Sequence, residues 1–128
     1  MNSQDVSVSA GLESAFVEIG QDIFNKAALL DRIGGRSELL PRLLTMFFST
    51  VDEILVRLDG IVAEKDNIEA GKQAHTLKGV AANVGAERMC AVVVKLEAFA
   101  RKEELAEFAK EMQYLRAEYE LFKSVAQE

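Results

Sequence analysis

From Leu40 to Val62, apolar residues return every three or four positions: Leu40, Leu44, Phe47, Val51, Ile54 with Leu55, Leu58, and Ile61 with Val62. That is the period of a helix with one buried face. A strand would alternate every second residue. A second stripe, Leu105, Phe108, Met112, Leu115, Tyr119 and Phe122, keeps the same spacing near the C-terminus. Two long one-sided helices cannot bury their apolar faces alone and need other helices to pack against. With a single proline in 128 residues, little breaks such helices. The chain is therefore expected to be all-α.

Read in order, residues 1–10 are small and polar and are expected to form a flexible N-terminal segment or linker remnant. Leu12, Phe16 and Ile19 suggest a short helix over 11–20. Asn25 is placed to cap a second short helix reaching Ile33, which Gly34-Gly35 would stop. Ser37 is the expected N-cap of a long helix over 38–64, with Pro41 early in it and Gly60 near its end. Asp66 followed by Glu69 resembles a capping box and opens a helix over 67–84, which Gly85 ends or bends. A helix over 86–102 turns Met89, Val92, Val93, Leu96 and Ala100 inward. After a charged corner, the last helix covers 104–125. Short links between four long helices predict an antiparallel up-and-down four-helix bundle, with one or two short N-terminal helices capping one end. Residues 11–128 are read as that one domain.

Charge narrows the partners. A net charge of −6 and a pI near 4.9 disfavour nucleic acid, which asks for a basic surface. They also disfavour an anionic membrane. No apolar run approaches the roughly 20 residues that span a bilayer. The polar start Met1-Asn2-Ser3-Gln4-Asp5 does not read as a signal peptide. A lone Cys90 cannot form an internal disulfide, and a cytoplasmic location is expected.

The only histidine, His75, lies in Ala74-His75-Thr76-Leu77-Lys78-Gly79. At about 100° per residue, Ala70, Leu77, Val80, Ala81 and Val84 share one face and His75 falls on the other. Its helical neighbours are Gly71, Lys72, Lys78, Gly79 and Ala82. They are small or cationic, so the imidazole should stand out from the surface. No carboxylate lies within one turn of it, so nothing local is expected to repel an incoming anion. Cys90, a helix away, gives no Cys-His pair and reads as a buried, inert thiol. No G-x-x-x-x-G-K-S/T run is present to hold ATP phosphates. One histidine without a Glu-x-x-His pair makes a metal or haem site unexpected.

What remains is nucleophilic chemistry at a solvent-facing ring whose unperturbed pKa is about 6.5. Such a ring can accept a phosphoryl group if another protein supplies the group and the machinery. Lys78 and Lys72 would pair with phosphate oxygens. Gly79 would leave room for close approach, and Asn83 would stand at the edge of the site.

His75-Thr-Leu-Lys-Gly79, followed by Asn83-Val-Gly-Ala86, resembles the signature of histidine-containing phosphotransfer (HPt) domains of two-component phosphorelays. The pattern is roughly H-x-L-K-G with Gly or Ala six residues on, where Gly85 stands. The likeness extends over about residues 23–125, through Ala27–Gly35 before the site and Met89-Cys90, Leu96-Glu97 and Ala100-Arg101 after it. The resemblance implies phosphorylation of His75 on Nε2 by a receiver-domain phospho-aspartate, and reversible transfer to a second receiver aspartate. The partners would be receiver domains of a hybrid sensor kinase or of response regulators, and these would bring Mg²⁺. The chain itself would need no cofactor, would have no ATP-dependent kinase activity and would be a monomer. It would stand alone or form the tail of a hybrid kinase. Lys78 carries over from the motif, whereas Lys72 and Gly71 come from the helical wheel. Gly79 and Ala82 would allow close docking. The competing reading is a non-catalytic helical adaptor with an incidental histidine. That reading requires an exposed apolar patch, which the stripes do not leave over.

Overall fold

The structure is a computed structural model and describes residues 21–127. The expected flexible segment over 1–10 and the short helix over 11–20 lie outside the described residues. Within them the order is α1 (Lys26–Arg32), a 3₁₀ turn (Ser37–Leu39), α2 (Leu40–Ala63), α3 (Asn67–Val84), α4 (Glu87–Arg101) and α5 (Leu105–Ala126). No strand occurs among the described residues.

The local chemistry explains most of the boundaries. Asn25 Oδ1 accepts from the Ala28 amide at 3.0 Å and opens α1, while Gly34 and Gly35 take φ of +67° and +75° beyond its end. Asp66 Oδ1 accepts from the Glu69 amide at 3.1 Å and opens α3. Only half of the capping box forms, because the Glu69 side chain turns to Gln73 and Lys72 instead. Ser37 is not the cap of α2. Residues 37–39 tighten into a 3₁₀ turn and the α-helix begins at Leu40. Pro41 then falls in the first turn, where its missing N–H would have had no partner.

The core follows the predicted stripes. Val51 and Leu58 of α2, Leu77 of α3, Val93 and Leu96 of α4, and Phe108 and Leu115 of α5 are fully buried. Each large aliphatic or aromatic side chain so buried stabilises the fold by about 1.5–3 kcal/mol relative to exposure. The inner face of α3 is otherwise built of Ala70, Ala74 and Ala81, with Val84 at its end. Such small residues let α3 lie close against both α2 and α4. α5 packs on α4 and touches α2. Not every stripe residue is inside. Val80 and Val92 are only partly buried. Outside the stripes, Met46, Val56 and Ile68 are largely exposed.

The chain ahead of α1 is tied to the α3–α4 turn. Asn25 donates its amide to the Gly85 carbonyl at 2.7 Å and its side-chain Nδ2 to Glu87 at 2.7 Å. The Asp22 amide donates to Glu87, and the Arg88 amide to the Asp22 carbonyl. The bonds from the Asn25 side chain and the Asp22 amide hold the Glu87 carboxyl below its ordinary range, the one from Asn25 having the larger effect. Gly85, at φ +80°, ends α3 rather than bending it. A Cβ there would meet the Asn25 carbonyl oxygen at 2.6 Å. Turn geometry and close approach both call for glycine.

Candidate functional site

His75 sits at mid-length on α3 with a side chain 69% exposed, as its place opposite Leu77 requires. Its Nδ1 lies 2.9 Å from Oε2 of Glu97 on α4. The other carboxylate oxygen of Glu97 accepts from Lys78 Nζ at 2.8 Å. One carboxylate thus joins the histidine and the lysine one turn beyond it. Glu97 is only 17% exposed, and its carboxyl is held below the usual range chiefly by the bond from Lys78, with His75 adding to it.

This geometry fixes the state of the ring. An ionised carboxylate can only accept, so the Nδ1 facing it carries the proton. In the neutral imidazole Nε2 is then the bare nitrogen, with its lone pair free to attack. The ring is held in a defined orientation on a solvent-facing surface.

The remaining predicted residues divide into those that gather round the ring and those at its margins. Gly79 is exposed, and a Cβ built there meets nothing within 4 Å. Lys72 is exposed and faces Glu69 across 4.0 Å. Gly71 is half-buried, where a Cβ would touch that of Ala100 at 3.6 Å. Ala82 and Asn83 are exposed, and their carbonyls, near the C-terminal end of α3, accept from Arg32 Nη1 of α1 at 2.7 and 2.8 Å. A cation at that end also suits the helix dipole. Cys90 is half-buried rather than buried. Its Sγ lies 3.8 Å from the Lys78 carbonyl, and burial pushes the thiol pKa up, as expected of an inert group.

Two hollows flank the His75–Glu97–Lys78 cluster along the α3–α4 seam. One, of about 430 Å³, lies toward α1 between Ala28, Arg32, Ala82, Cys90 and Val94. The other, of about 570 Å³, has His75, Thr76 and Glu97 in its wall and runs to Ile68, Gly71 and Arg101.

Sequence reasoning missed Glu97, Arg32 and Arg101 as parts of this surface. The statement that no carboxylate is near His75 holds along α3 alone and fails once α4 packs beside it. A signal existed. Glu97 follows the buried Leu96 and precedes Ala100 by three residues, at the edge of α4's inner face. A charge in such a position needs a partner.

The family model for the Hpt domain matches residues 42–124, which include all of α3 and α4 and most of α2 and α5. The chain belongs to the Hpt family and is a phosphotransfer module of two-component systems. Hpt domains are phosphoryl carriers rather than kinases, and they interact with receiver domains. Comparison with curated proteins and with solved structures found no match. Among the described residues no helix is long and apolar enough to cross a membrane, and no cluster of histidine, cysteine and carboxylate side chains could hold a metal ion.

Proposed function

We propose that His75 is the phosphorylated residue of a phosphorelay intermediate. It accepts a phosphoryl group from a receiver-domain phospho-aspartate and passes it reversibly to the aspartate of another receiver. The observation that carries this reading is the contact of Glu97 Oε2 with His75 Nδ1, which leaves Nε2 as the nucleophile on an exposed ring.

In the forward step the Nε2 lone pair attacks phosphorus. A P–N bond forms, and the P–O bond to the donor carboxylate breaks, that carboxylate leaving with the electron pair. The Nδ1 proton stays in place, so the phosphorylated ring is cationic and Glu97 offsets its charge. Lys78, one turn on, is within reach of the phosphoryl oxygens and of Glu97 and can be shared between them. The remaining phosphoryl charge is offset by Mg²⁺ held on the partner, and this chain brings no cofactor of its own. Gly79 leaves the space through which the partner's loops approach. Gly71, Lys72, Ala82 and Asn83 form the surrounding surface rather than the reacting centre.

In the same reading the four long helices run up and down, antiparallel, as one domain over 11–128, and the module works as a cytoplasmic monomer. Nitrogen-resolved NMR of the phosphorylated protein, ¹⁵N-labelled at histidine, tests the assignment. Phosphorus coupling to Nε2 of His75 is expected, whereas coupling to Nδ1 or phosphate on another residue would refute it.

A further inference from the structure

The stripe carrying His75 continues toward the start of α3 through Lys72, Gly71 and Ile68, which precede it by three, four and seven residues. Ile68, two turns before the histidine, is 73% exposed and lines the 570 Å³ groove beside it. Gly71 and the buried Ala100 form a floor without bulk. At the rim stands Arg101, one turn after Glu97, which makes no ion pair among the described residues. Lys72 and Glu69 face each other on the α3 side, and Glu103 closes the far end. An apolar anchor, a shallow floor and an unpaired guanidinium therefore adjoin the reacting nitrogen.

We propose that this groove is a specificity pocket for the receiver domain that exchanges phosphate with His75. It takes an apolar side chain of the receiver against Ile68 and the Gly71–Ala100 floor, with a neighbouring receiver carboxylate paired to Arg101. The inference rests on the phosphorelay reading above. Two observations select the occupant. His75 and Glu97 belong to both groove and site, so a protein that reaches Nε2 covers the groove as well. The charge is also complementary, because a partner that holds Mg²⁺ beside its aspartate does so with carboxylates, and Arg101 faces that acidic margin.

The test uses Ile68→Glu and Arg101→Glu, both at exposed positions, with Val56→Glu on α2 as control, since Val56 is equally exposed and lies outside the groove. Each protein is phosphorylated in two ways. One donor is phosphoramidate, a small molecule that needs no docking. The other is each phosphorylated receiver domain encoded by the source organism, with Mg²⁺. For the receiver that labels the wild type fastest, both groove variants should fall by about tenfold or more below saturation and recover as receiver concentration rises. Labelling by phosphoramidate should be unchanged, and Val56→Glu should behave as wild type. Wild-type transfer in both groove variants, an equal loss in Val56→Glu, or a parallel loss with phosphoramidate would overturn the pocket and leave the phosphorelay reading standing. Failure of every receiver to label a wild type that phosphoramidate does label would remove that reading, and the pocket with it.

Discussion

His75 and Glu97 stand 22 positions apart in the chain, and their side chains meet at 2.9 Å across the α3–α4 seam. The contact joins a ring on an exposed face to a carboxylate that α4 keeps largely covered. It converts a surface histidine into one with an assigned tautomer.

Glu97→Ala should therefore slow phosphoryl acceptance by about tenfold or more, the worth of a hydrogen bond to a charged group. The helices should stay intact, because Glu97 lies at the edge of the core rather than within it. Acceptance from phosphoramidate, followed alongside circular dichroism, gives the measurement. An unchanged rate would show that the bond does not prepare the nucleophile.

The same carboxylate gives a pH dependence of stability. Lys78 first, and His75 after it, hold its pKa below the ordinary 4.5. A group lowered on folding contributes stability that is fully present above its unfolded value, about pH 4.5, and is lost as pH falls through the folded one. Wild type and Glu97→Gln should differ in urea midpoint near neutrality and converge as pH falls below the ordinary carboxylate value and through the lowered one. A gap that stays constant with pH would contradict the assignment.

Position 79 should separate stability from function. Gly79→Ala meets no atom within 4 Å and should stabilise α3 by about 1 kcal/mol through helix propensity. Gly79→Leu should also leave the fold intact yet block transfer from a receiver, because its bulk occupies the approach to His75. Undiminished transfer in the leucine variant would count against close docking over this turn.

Gly85→Ala should do the reverse of Gly79→Ala. Its φ of +80° and the 2.6 Å approach to the Asn25 carbonyl leave no room for a Cβ, so a loss exceeding about 1 kcal/mol is expected. Lys65 and Glu103, by contrast, hold φ of +58° and +59° without being glycine. Lys65→Gly and Glu103→Gly should each gain up to about 1 kcal/mol by relieving left-handed strain. Thermal melts of the three variants decide these signs.

The helices were legible because their apolar stripes are long and their stops are glycine or capped turns. α3 and its ends at Asn67 and Val84 were readable from Asp66 and Gly85 alone. The start of α2 was not, since Ser37 looks like a cap and only tertiary packing tells a 3₁₀ turn from an α-turn. His75, Lys78 and Gly79 could be found because they share one helical surface. Glu97 and Arg101 join them only through the packing of α4 on α3, which periodicity along a single helix does not encode. Ile68 belongs to none of the apolar stripes, and its 73% exposure beside the site shows only once α4 is packed on α3.

The most direct test of the central claim is relay through the purified chain. A phosphorylated receiver, Mg²⁺ and a second receiver are combined with wild type or with His75→Gln, and phosphate is followed on all three proteins. The account predicts acid-labile, base-stable phosphate on the wild-type chain, its onward appearance on the second receiver, and neither with His75→Gln, which should melt as the wild type does because the ring faces solvent. Equal labelling of His75→Gln, or passage to the second receiver without it, would contradict the account.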